Sequence, residues 1–266
     1  MICALGDLLL DVVVRLEGPI AEDTDTYGRT RVGAGGQAAN VAAWVAALGG
    51  RARFVGKRAA DAAGRLVAEE LAGRGVEVVG PLADGGTGTV VSIATPDGKR
   101  TMLSDRGVSP TFGPDELDAA WLGGCERLHL PAYSVLSAPI GDTARAAATL
   151  APAVSFDLSS VAVIEAAGAP AVRAAIAQLR PDIVFANEEE AALVGGLDVD
   201  TLVVKRGARG CSVRHRSDER DFPAEPADAV DSTGAGDAFA AGFLLGGPKL
   251  ALRAAARCVA QLGAMP

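Results

Sequence analysis

The sequence predicts an α/β protein with a predominantly parallel central sheet and a small separate β-sheet that acts as a lid. Short apolar runs alternate with Ala-rich helical patterns along most of the chain, and this alternation is typical of a parallel sheet covered on both faces. A β-hairpin pattern at residues 87–104 lies outside the alternation. The 266 residues are enough to bury a sizeable core. We expect one domain over residues 1–266, with lid strands from about 12–32 and 88–104.

Composition excludes several classes of protein. The formal net charge is −8, which argues against a nucleic-acid partner because that affinity comes from clustered Lys and Arg. No apolar run approaches the ~20 residues that a membrane span needs, so we expect no membrane partner. The four cysteines are scattered without metal-ligand spacing, as in a reduced cytoplasmic protein. We therefore expect a cytoplasmic protein.

The chain begins with a buried strand at residues 2–5 and a second apolar run at residues 8–16. Asp11 lies inside that run, and a carboxylate there is costly if it is buried without a partner. Asp11 either faces outward from its strand or hydrogen-bonds polar groups of a ligand.

A glycine pair, Gly35 and Gly36, precedes a helix with apolar residues at i, i+3, i+4 and i+7 between positions 41 and 48. The pair permits close approach to the backbone, and Asn40 offers a donor and an acceptor for hydroxyl groups. The spacing from Gly33 also fits a dinucleotide-binding fingerprint. However, residues 26–31 are polar where that motif requires a buried strand.

The middle of the chain continues the alternation. We predict strands at 52–55, 76–79, 127–130, 154–157 and 183–186, and helices at 61–72, 115–122, 139–151 and 169–179. The hairpin at 87–104 has its turn at residues 96–98. Arg106 follows the hairpin, where it either clamps a substrate oxygen or carboxylate or remains a solvated surface residue.

Two later strand ends carry polar groups, and strand ends of parallel sheets are where ligands bind. The first strand is followed by Asn187 and three acids up to Glu190, which the helix dipole alone would favour. The second, at residues 201–205, ends in Lys205 and a turn containing Gly207. Lys205 either contacts a ligand or pairs with an acid. A helix is predicted at 250–262.

The most informative stretch is Asp231-Ser232-Thr233-Gly234-Ala235-Gly236-Asp237, which runs directly into an apolar helix. Its glycines and the helix N-terminus predict an anion site, because N–H groups and the positive end of the helix dipole converge there. Asp237 beside an anion indicates a base for proton abstraction. The alternative is a Gly-rich helix start in which the acid only complements the dipole.

This stretch resembles the D-T-T-G-A-G-D signature of the ribokinase-like (PfkB) carbohydrate kinase family, with Ser in place of the first Thr. Three other motifs recur in the family's order: Gly-(Asp or Glu)-x-x-x-Asp at residues 6–11, G-G-x-x-x-N at 35–40 and N-x-x-E at 187–190. The family's G-D-D-x-x-G loop is altered at residues 59–64. The resemblance covers essentially the whole chain and implies a three-layer α/β/α ribokinase-like fold.

The resemblance implies an ATP-dependent kinase acting on a hydroxyl of a sugar or sugar-like molecule, with Asp237 as general base. It implies that the Gly234, Ala235 and Gly236 amides stabilise the transferring phosphoryl group. It assigns acceptor binding to Asp11, Gly35, Gly36 and Asn40, and ATP binding to Asn187, Glu190, Lys205 and Gly207. We add Arg106 to the acceptor-binding residues because of its own chemistry. Mg²⁺ would lie near Glu190, and a monovalent cation near Asp231 and Thr233.

The acceptor stays open. The glutamate typical of ribokinases after the strand at 127–130 is replaced here by Pro131-Ala132-Tyr133, which argues against ribose itself. Tyr133 suits a nucleoside, whereas Arg106 suits a sugar acid. A non-catalytic sugar or nucleotide sensor of the same fold is the alternative from another class, and the family also allows a homodimer through the lid.

Overall fold

The computed structural model describes residues 1–95, 97 and 100–266 of the chain. Its α-helices are α1 Gln37–Ala47, α2 Ala62–Gly73, α3 Ile140–Leu150, α4 Val161–Ala167, α5 Ala169–Leu179, α6 Glu188–Val194 and α7 Ala235–Val259. Its strands are β1 Ile2–Leu5, β2 Leu9–Leu16, β3 Gly28–Gly35, β4 Ala52–Val55, β5 Arg58–Ala59, β6 Val76–Val79, β7 Leu82–Ala83, β8 Thr87–Ala94, β9 Arg100–Gly107, β10 Arg127–Pro131, β11 Val154–Asp157, β12 Ile183–Asn187, β13 Thr201–Lys205, β14 Cys211–His215 and β15 Asp218–Phe222.

The main sheet, within the described residues, has nine strands in the order β15-β14-β13-β12-β11-β10-β1-β4-β6. All neighbouring strands from β6 to β13 pair in parallel. The antiparallel pairs of this sheet are β13 with β14 and β14 with β15. Every residue of β1 and β11 is buried, as expected of strands covered on both faces. The predicted predominantly parallel sheet is confirmed.

Two hydrophobic clusters lie on opposite faces of this sheet. Successive side chains of β1 alternate between them, with Ile2 and Ala4 in one cluster and Cys3 and Leu5 in the other. The first cluster packs against α1, α2 and α7, and the second against α3, α4, α5 and α6. This arrangement is the predicted three-layer α/β/α architecture.

The small lid sheet has the strand order β3-β2-β8-β9. β2 is antiparallel to β3 and parallel to β8, and β8 and β9 form the predicted hairpin. Part of the predicted hairpin turn, at Pro96 and Gly98, lies outside the described residues. Because β2 follows β1 after only three residues, the base of the lid is attached to a buried strand of the main sheet.

Three local features differ from the sequence predictions. Residues 115–122 form two short 3₁₀ turns, Pro114–Glu116 and Ala119–Leu122, rather than an α-helix. The helix predicted at 250–262 is the second half of α7, which breaks at Gly246 and Gly247 before Pro248 and ends at Val259. Helix α4, capped by the Ser160 side chain, was not predicted because seven residues give little periodicity.

In the described part of the chain, no single helix is long and apolar enough to cross a membrane. The consecutive helices α4 and α5 reach that length and composition only when they are taken together, and they are bent by 97° at their junction.

Candidate active site

The signature forms the turn that leads into α7. Gly234 is the N-cap residue and has φ 76°, a left-handed conformation that favours glycine. A Cβ at this position would lie 2.6 Å from the Cα of Ala264. The turn therefore has a glycine because of both its backbone conformation and its contact with the C-terminal loop.

Asp231 ties the signature to that same loop. Its Oδ1 accepts hydrogen bonds from the backbone N of Thr233 at 2.9 Å and from Thr233 Oγ1 at 2.6 Å. Its Oδ2 accepts a bond from the backbone N of Gly263 at 3.1 Å. The first aspartate of the signature thus fixes the turn.

Asp237 lies in the first turn of α7, and its Oδ2 accepts a hydrogen bond of 2.8 Å from Asn40 Nδ2. Burial raises the pKa of Asp237 to about 7, and the nearby Asp157 and Asp11 carboxylates contribute to the increase. The Asn40 hydrogen bond opposes it. A carboxylate with a pKa near neutrality, beside a helix N-terminus, is suited to accepting a proton.

Asp11 lies directly over the glycine pair. A Cβ at Gly35 would be 2.0 Å from Asp11 Cγ, so the carboxylate fits only because residue 35 has no side chain. Burial raises the pKa of Asp11 to about 6, and the neighbouring Glu70 carboxylate adds to the increase. Asp11 lines the central cavity together with Gly36 and Asn40, so it does not face outward from the lid.

Arg106 is held in place by ion pairing and is not a solvated surface residue. Its Nε and Nη2 donate to the two carboxylate oxygens of Asp7 at 2.6 and 2.9 Å, and its Nη1 donates to Ser137 Oγ at 3.1 Å. The guanidinium lies 6.0 Å from the ring centre of Tyr133. Asp7 is itself buried, so the Arg106 charge is neutralised by a fixed partner.

Lys205 reaches the signature from the carboxyl end of β13. Its Nζ lies 2.9 and 3.2 Å from the two carboxylate oxygens of Asp157, which is fully buried. The same Nζ lies 3.4 Å from the position a Cβ would take on Gly236. Burial lowers the pKa of Lys205, but the Asp157 and Glu190 carboxylates outweigh it, so the net shift is upward. A charged amine therefore lies beside the predicted anion site.

Asn187 and Glu190 form a capping box at the start of α6. The Asn187 side chain accepts from the Glu190 backbone N, and Glu190 Oε2 accepts from the Asn187 backbone N, both at 2.8 Å. Glu190 is buried, and burial raises its pKa. Gly207 lies in the short turn after β13.

A cavity of about 330 Å³ lies between the lid and the signature. It gathers eight of the predicted site residues: Asp11, Gly36, Asn40, Arg106, Lys205, Gly234, Gly236 and Asp237. The other five do not line it: Gly35, Asn187, Glu190, Ala235 and Gly207. Gly35 lies beneath Asp11, and Ala235 lies between two lining glycines. Asn187, Glu190 and Gly207 lie outside the cavity.

Sequence reasoning missed two acids of this site, Asp7 and Asp157, as partners of cations. Both follow or end a buried strand at the carboxyl edge of the sheet, which is a recognisable signal. It also missed Ser134, which lines the cavity with a buried hydroxyl that has no partner among the described residues. Among the described residues, no group of three or more His, Cys, Asp or Glu side chains is placed to hold a metal ion.

Comparison with known proteins agrees with the motifs. The model of the pfkB family of carbohydrate kinases matches residues 1–265. An ATP-dependent ribose-1-phosphate kinase from Halopiger xanaduensis is 32% identical over 256 residues, covering 91% of this chain and 83% of that protein. Fructokinase-1 of Zea mays is 28% identical over 267 residues, with 92% and 82% covered.

The fold also matches a solved structure. The adenosine kinase of Sinorhizobium meliloti superposes with a TM-score of 0.87 at 24% identity, covering 100% of this chain and 95% of that one. The predicted ribokinase-like fold is confirmed.

Proposed function

The chain belongs to the pfkB family of carbohydrate kinases and is an ATP-dependent kinase of a sugar or nucleoside, and from this premise we propose which residues carry the reaction. The acceptor hydroxyl lies against Asp237, which takes its proton as the oxygen attacks the γ-phosphorus of ATP. The observation that carries this assignment is the position of the Asp237 carboxylate, which lines the cavity at the N-terminus of α7 and accepts a hydrogen bond from Asn40; its pKa of about 7 supports the assignment. A base titrating near neutral pH is well matched to this transfer.

The backbone amides at Gly234, Ala235 and Gly236 stabilise the charge of the transferring phosphoryl group. Fixed donors aimed at a developing charge are the main source of catalysis in phosphoryl transfer. Lys205 adds a positive charge on the same side, and its ion pair with Asp157 holds it in position. The position of Lys205 Nζ, 3.4 Å from where a Cβ on Gly236 would lie, supports this role.

ATP binds on the side of the signature that carries Asn187, Glu190, Lys205 and Gly207. Mg²⁺ usually keeps several waters and binds through one or two carboxylates and the phosphates of its substrate. Glu190 suits that mode, because only one of its two carboxylate oxygens, Oε2, makes the capping-box hydrogen bond. Bound there, the ion would neutralise phosphate charge. The monovalent cation near Asp231 and Thr233 remains a prediction.

The acceptor is oriented by Asp11 and Asn40, with Gly35 and Gly36 giving room for both. Asn40 Oδ1 is buried without a partner among the described residues, so it can accept from a second hydroxyl. Arg106, already paired with Asp7, contributes donor groups rather than a free charge. A nucleoside is the second candidate acceptor, and the Tyr133 ring lining the cavity favours it.

Three further proposals concern the whole protein. We propose that the 266 residues act as one kinase domain. Its partner is a small-molecule acceptor, and it has no nucleic-acid or membrane partner. We propose a cytoplasmic location. A homodimer through the lid is consistent with its exposed edge strands β3 and β9.

The first test is ADP release from ATP and Mg²⁺ with a panel of sugars, sugar phosphates, sugar acids and nucleosides. We expect turnover with one class of acceptor, and a loss of at least ~100-fold in kcat in Asp237→Asn, as for a positioned base. Asp142→Asn, which alters a surface carboxylate paired with Arg145, is the matched control. Wild-type activity in Asp237→Asn would refute the assignment of the base. Ligand binding without any ATP turnover would favour the sensor.

A further inference from the structure

We propose that Glu70, a side chain of α2 that does not line the catalytic cavity, is a positioning residue for the acceptor, because it holds the end of β3 against which the Asp11 carboxylate lies. The inference rests on the proposed function, in which Asp11 binds hydroxyl groups of the acceptor. Glu70 belongs to none of the sequence motifs that predicted the site. It adds α2 to the elements that determine acceptor binding.

The Glu70 carboxylate is fixed against the backbone of β3. Its Oε2 accepts a hydrogen bond of 2.7 Å from the backbone N of Ala34. A Cβ at Gly33 would lie 3.3 Å from Oε1 and 3.5 Å from Oε2. β3 is an edge strand of the lid sheet, and edge strands leave N–H groups without a strand partner. Because Ala34 is buried, its N–H would be costly to leave without an acceptor, and Glu70 supplies one.

The same strand end receives Asp11. Gly33 pairs with Asp11 across β2 and β3, and the Asp11 carboxylate occupies the space above Gly35. Ala34, which Glu70 holds, lies between these two glycines. Two carboxylates from different elements therefore lie against one short stretch of backbone, and a shift of that stretch would displace the carboxylate that lines the cavity.

Helix α2 is anchored well enough to hold this strand end. Its N-cap residue Asp61 accepts hydrogen bonds from the backbone N of Gly64 at 2.7 Å and from the backbone N of Thr87, the first residue of β8, at 2.9 Å. Val67 and Leu71 on the same helix are buried in the first hydrophobic cluster. The helix thus contacts the base of the lid at both β8 and β3, and Glu70 makes the second of these connections.

Glu70 also acts on Asp11 through its charge. Burial raises the pKa of Asp11 to about 6, and the Glu70 carboxylate is the neighbouring charge that adds to this increase. Arg74, one turn further along α2, pairs with Glu70 Oε1 at 2.9 Å and keeps the carboxylate in place. Because like charges disfavour one another's ionisation, Glu70 opposes the ionised form of Asp11.

The other ionisable groups around Asp11 belong to the cavity itself. The residues opposite Asp11 in the lid sheet, Gly33 and Val90, carry no charge. The remaining ionisable side chains that line the cavity are Asp7, Arg106, Lys205 and Asp237. Arg106 is paired with Asp7, and Lys205 is paired with the buried Asp157. A change at Glu70 therefore alters one charge acting on Asp11 and leaves every cavity-lining group in place.

The kinetic test uses ADP release with the acceptor that has the highest wild-type kcat/KM in the panel described above. At pH 8 we expect Glu70→Ala to raise the acceptor KM at least ~10-fold, while kcat and the KM for ATP stay within about 3-fold. Glu70→Gln keeps an oxygen for the Ala34 N–H, so its acceptor KM should stay within about 3-fold of wild type. Glu69→Ala, at the neighbouring exposed residue of α2, is the matched control. An unchanged acceptor KM in Glu70→Ala, or an equal rise in the KM for ATP, would overturn the inference.

A titration without ligand tests the charge. Carbon-13 NMR of the aspartate carboxyl groups, with Asp11→Asn identifying the Asp11 signal, gives its titration midpoint in the nucleotide-free protein. Glu70→Gln removes a neighbouring negative charge, so the midpoint should fall by at least ~0.5 pH, whereas Glu69→Gln should leave it unchanged. An unchanged midpoint in Glu70→Gln would refute the electrostatic role of Glu70. Turnover that does not depend on Asp237 would instead overturn the proposed function, and it would leave the NMR result as it stands.

Discussion

Asp237 is held between opposing influences at the level of single residues. Burial and two neighbouring acids favour its neutral form, while the hydrogen bond from Asn40 favours the charged form. The result is a pKa of about 7, whereas an isolated aspartate would be ionised well below that pH. The same carboxylate can therefore accept a proton and later release it at neutral pH.

The first residue-level prediction concerns the pH dependence of catalysis. Because protonated Asp237 cannot act as a base, kcat/KM for the acceptor should rise with pH through about 7 and level off above it. Asn40→Ala removes the larger of the two interactions that lower the pKa of Asp237, the other being the Lys205 charge, so its rising limb should move to higher pH and its acceptor KM should increase.

Steady-state kinetics between pH 5.5 and 9 measure the rising limb of kcat/KM for the wild type and for Asn40→Ala. Gln178→Ala, an exposed amide on α5, is the matched control and should reproduce the wild-type profile. An Asn40→Ala limb at or below that of wild type would contradict the proposed coupling. The Asp11 carboxyl, whose pKa is about 6, also titrates within this range, below the rising limb assigned to Asp237.

At the level of elements, the start of α7 depends on the loop that follows the end of the same helix. Gly234 lies against Ala264, and Asp231 accepts from Gly263. The helix leaves the site, breaks at Gly246 and Gly247, and returns. The anion site is therefore formed by the N-terminal turn of α7 together with the loop that follows the C-terminal end of the same helix.

Gly234→Ala tests this arrangement. The new methyl group would occupy the space of Ala264 at a residue with φ 76°, so we expect a loss of roughly 1–3 kcal/mol in the free energy of unfolding. We also expect at least ~10-fold lower kcat, because the amides shift. Gly196→Ala is the control, since φ is 55° there but the space around it is open.

Urea unfolding and ADP release measure the two effects. If Gly196→Ala destabilised the protein as much as Gly234→Ala, backbone conformation alone would explain the loss. The contact with Ala264 would then have no measurable role.

For the whole molecule, the ionised form of the buried Asp237 lowers the free energy of unfolding. The pKa of Asp237 is raised from the model-peptide value of 3.8 to about 7 in the fold, so ionising this group at high pH favours the unfolded chain. That penalty is absent below pH 4 and grows as the pH rises to about 7. Catalytic competence and global stability are therefore opposed at this residue.

Asp237→Asn should raise the free energy of unfolding at pH 8 by at least about 1 kcal/mol, and by less at pH 5.5. Thermal unfolding at both pH values measures this, with Asp142→Asn as the surface control. A stabilisation that did not grow with pH would show that ionisation of Asp237 does not destabilise the folded protein.

Features local in sequence were predictable across the molecule, and features that depend on distant pairing were not. The glycines of the signature at residues 231–237 and of the G-G-x-x-x-N string predict the turns in which they lie. The alternation of short apolar runs with helical patterns predicts the parallel sheet. The Asp7–Arg106 pair joins residues 99 positions apart, and Asp157 meets Lys205 across 48. Such contacts follow from strand order, which periodicity does not reveal. The helix predicted at 115–122 is instead two 3₁₀ turns, because the backbone between them is extended at Leu117 and Asp118.

The C-terminal loop also gives the protein an optical property. The indole N–H of the buried Trp44 donates to the carbonyl O of Ala264 at 2.8 Å, and Ala264 lines the catalytic cavity. The other tryptophan, Trp121, packs with Phe112 in the opposite cluster. We therefore expect the emission of Trp44 to respond to a ligand that contacts Ala264. In a protein with Trp121 replaced by Phe, one intrinsic fluorophore would report occupancy of the cavity without any added label.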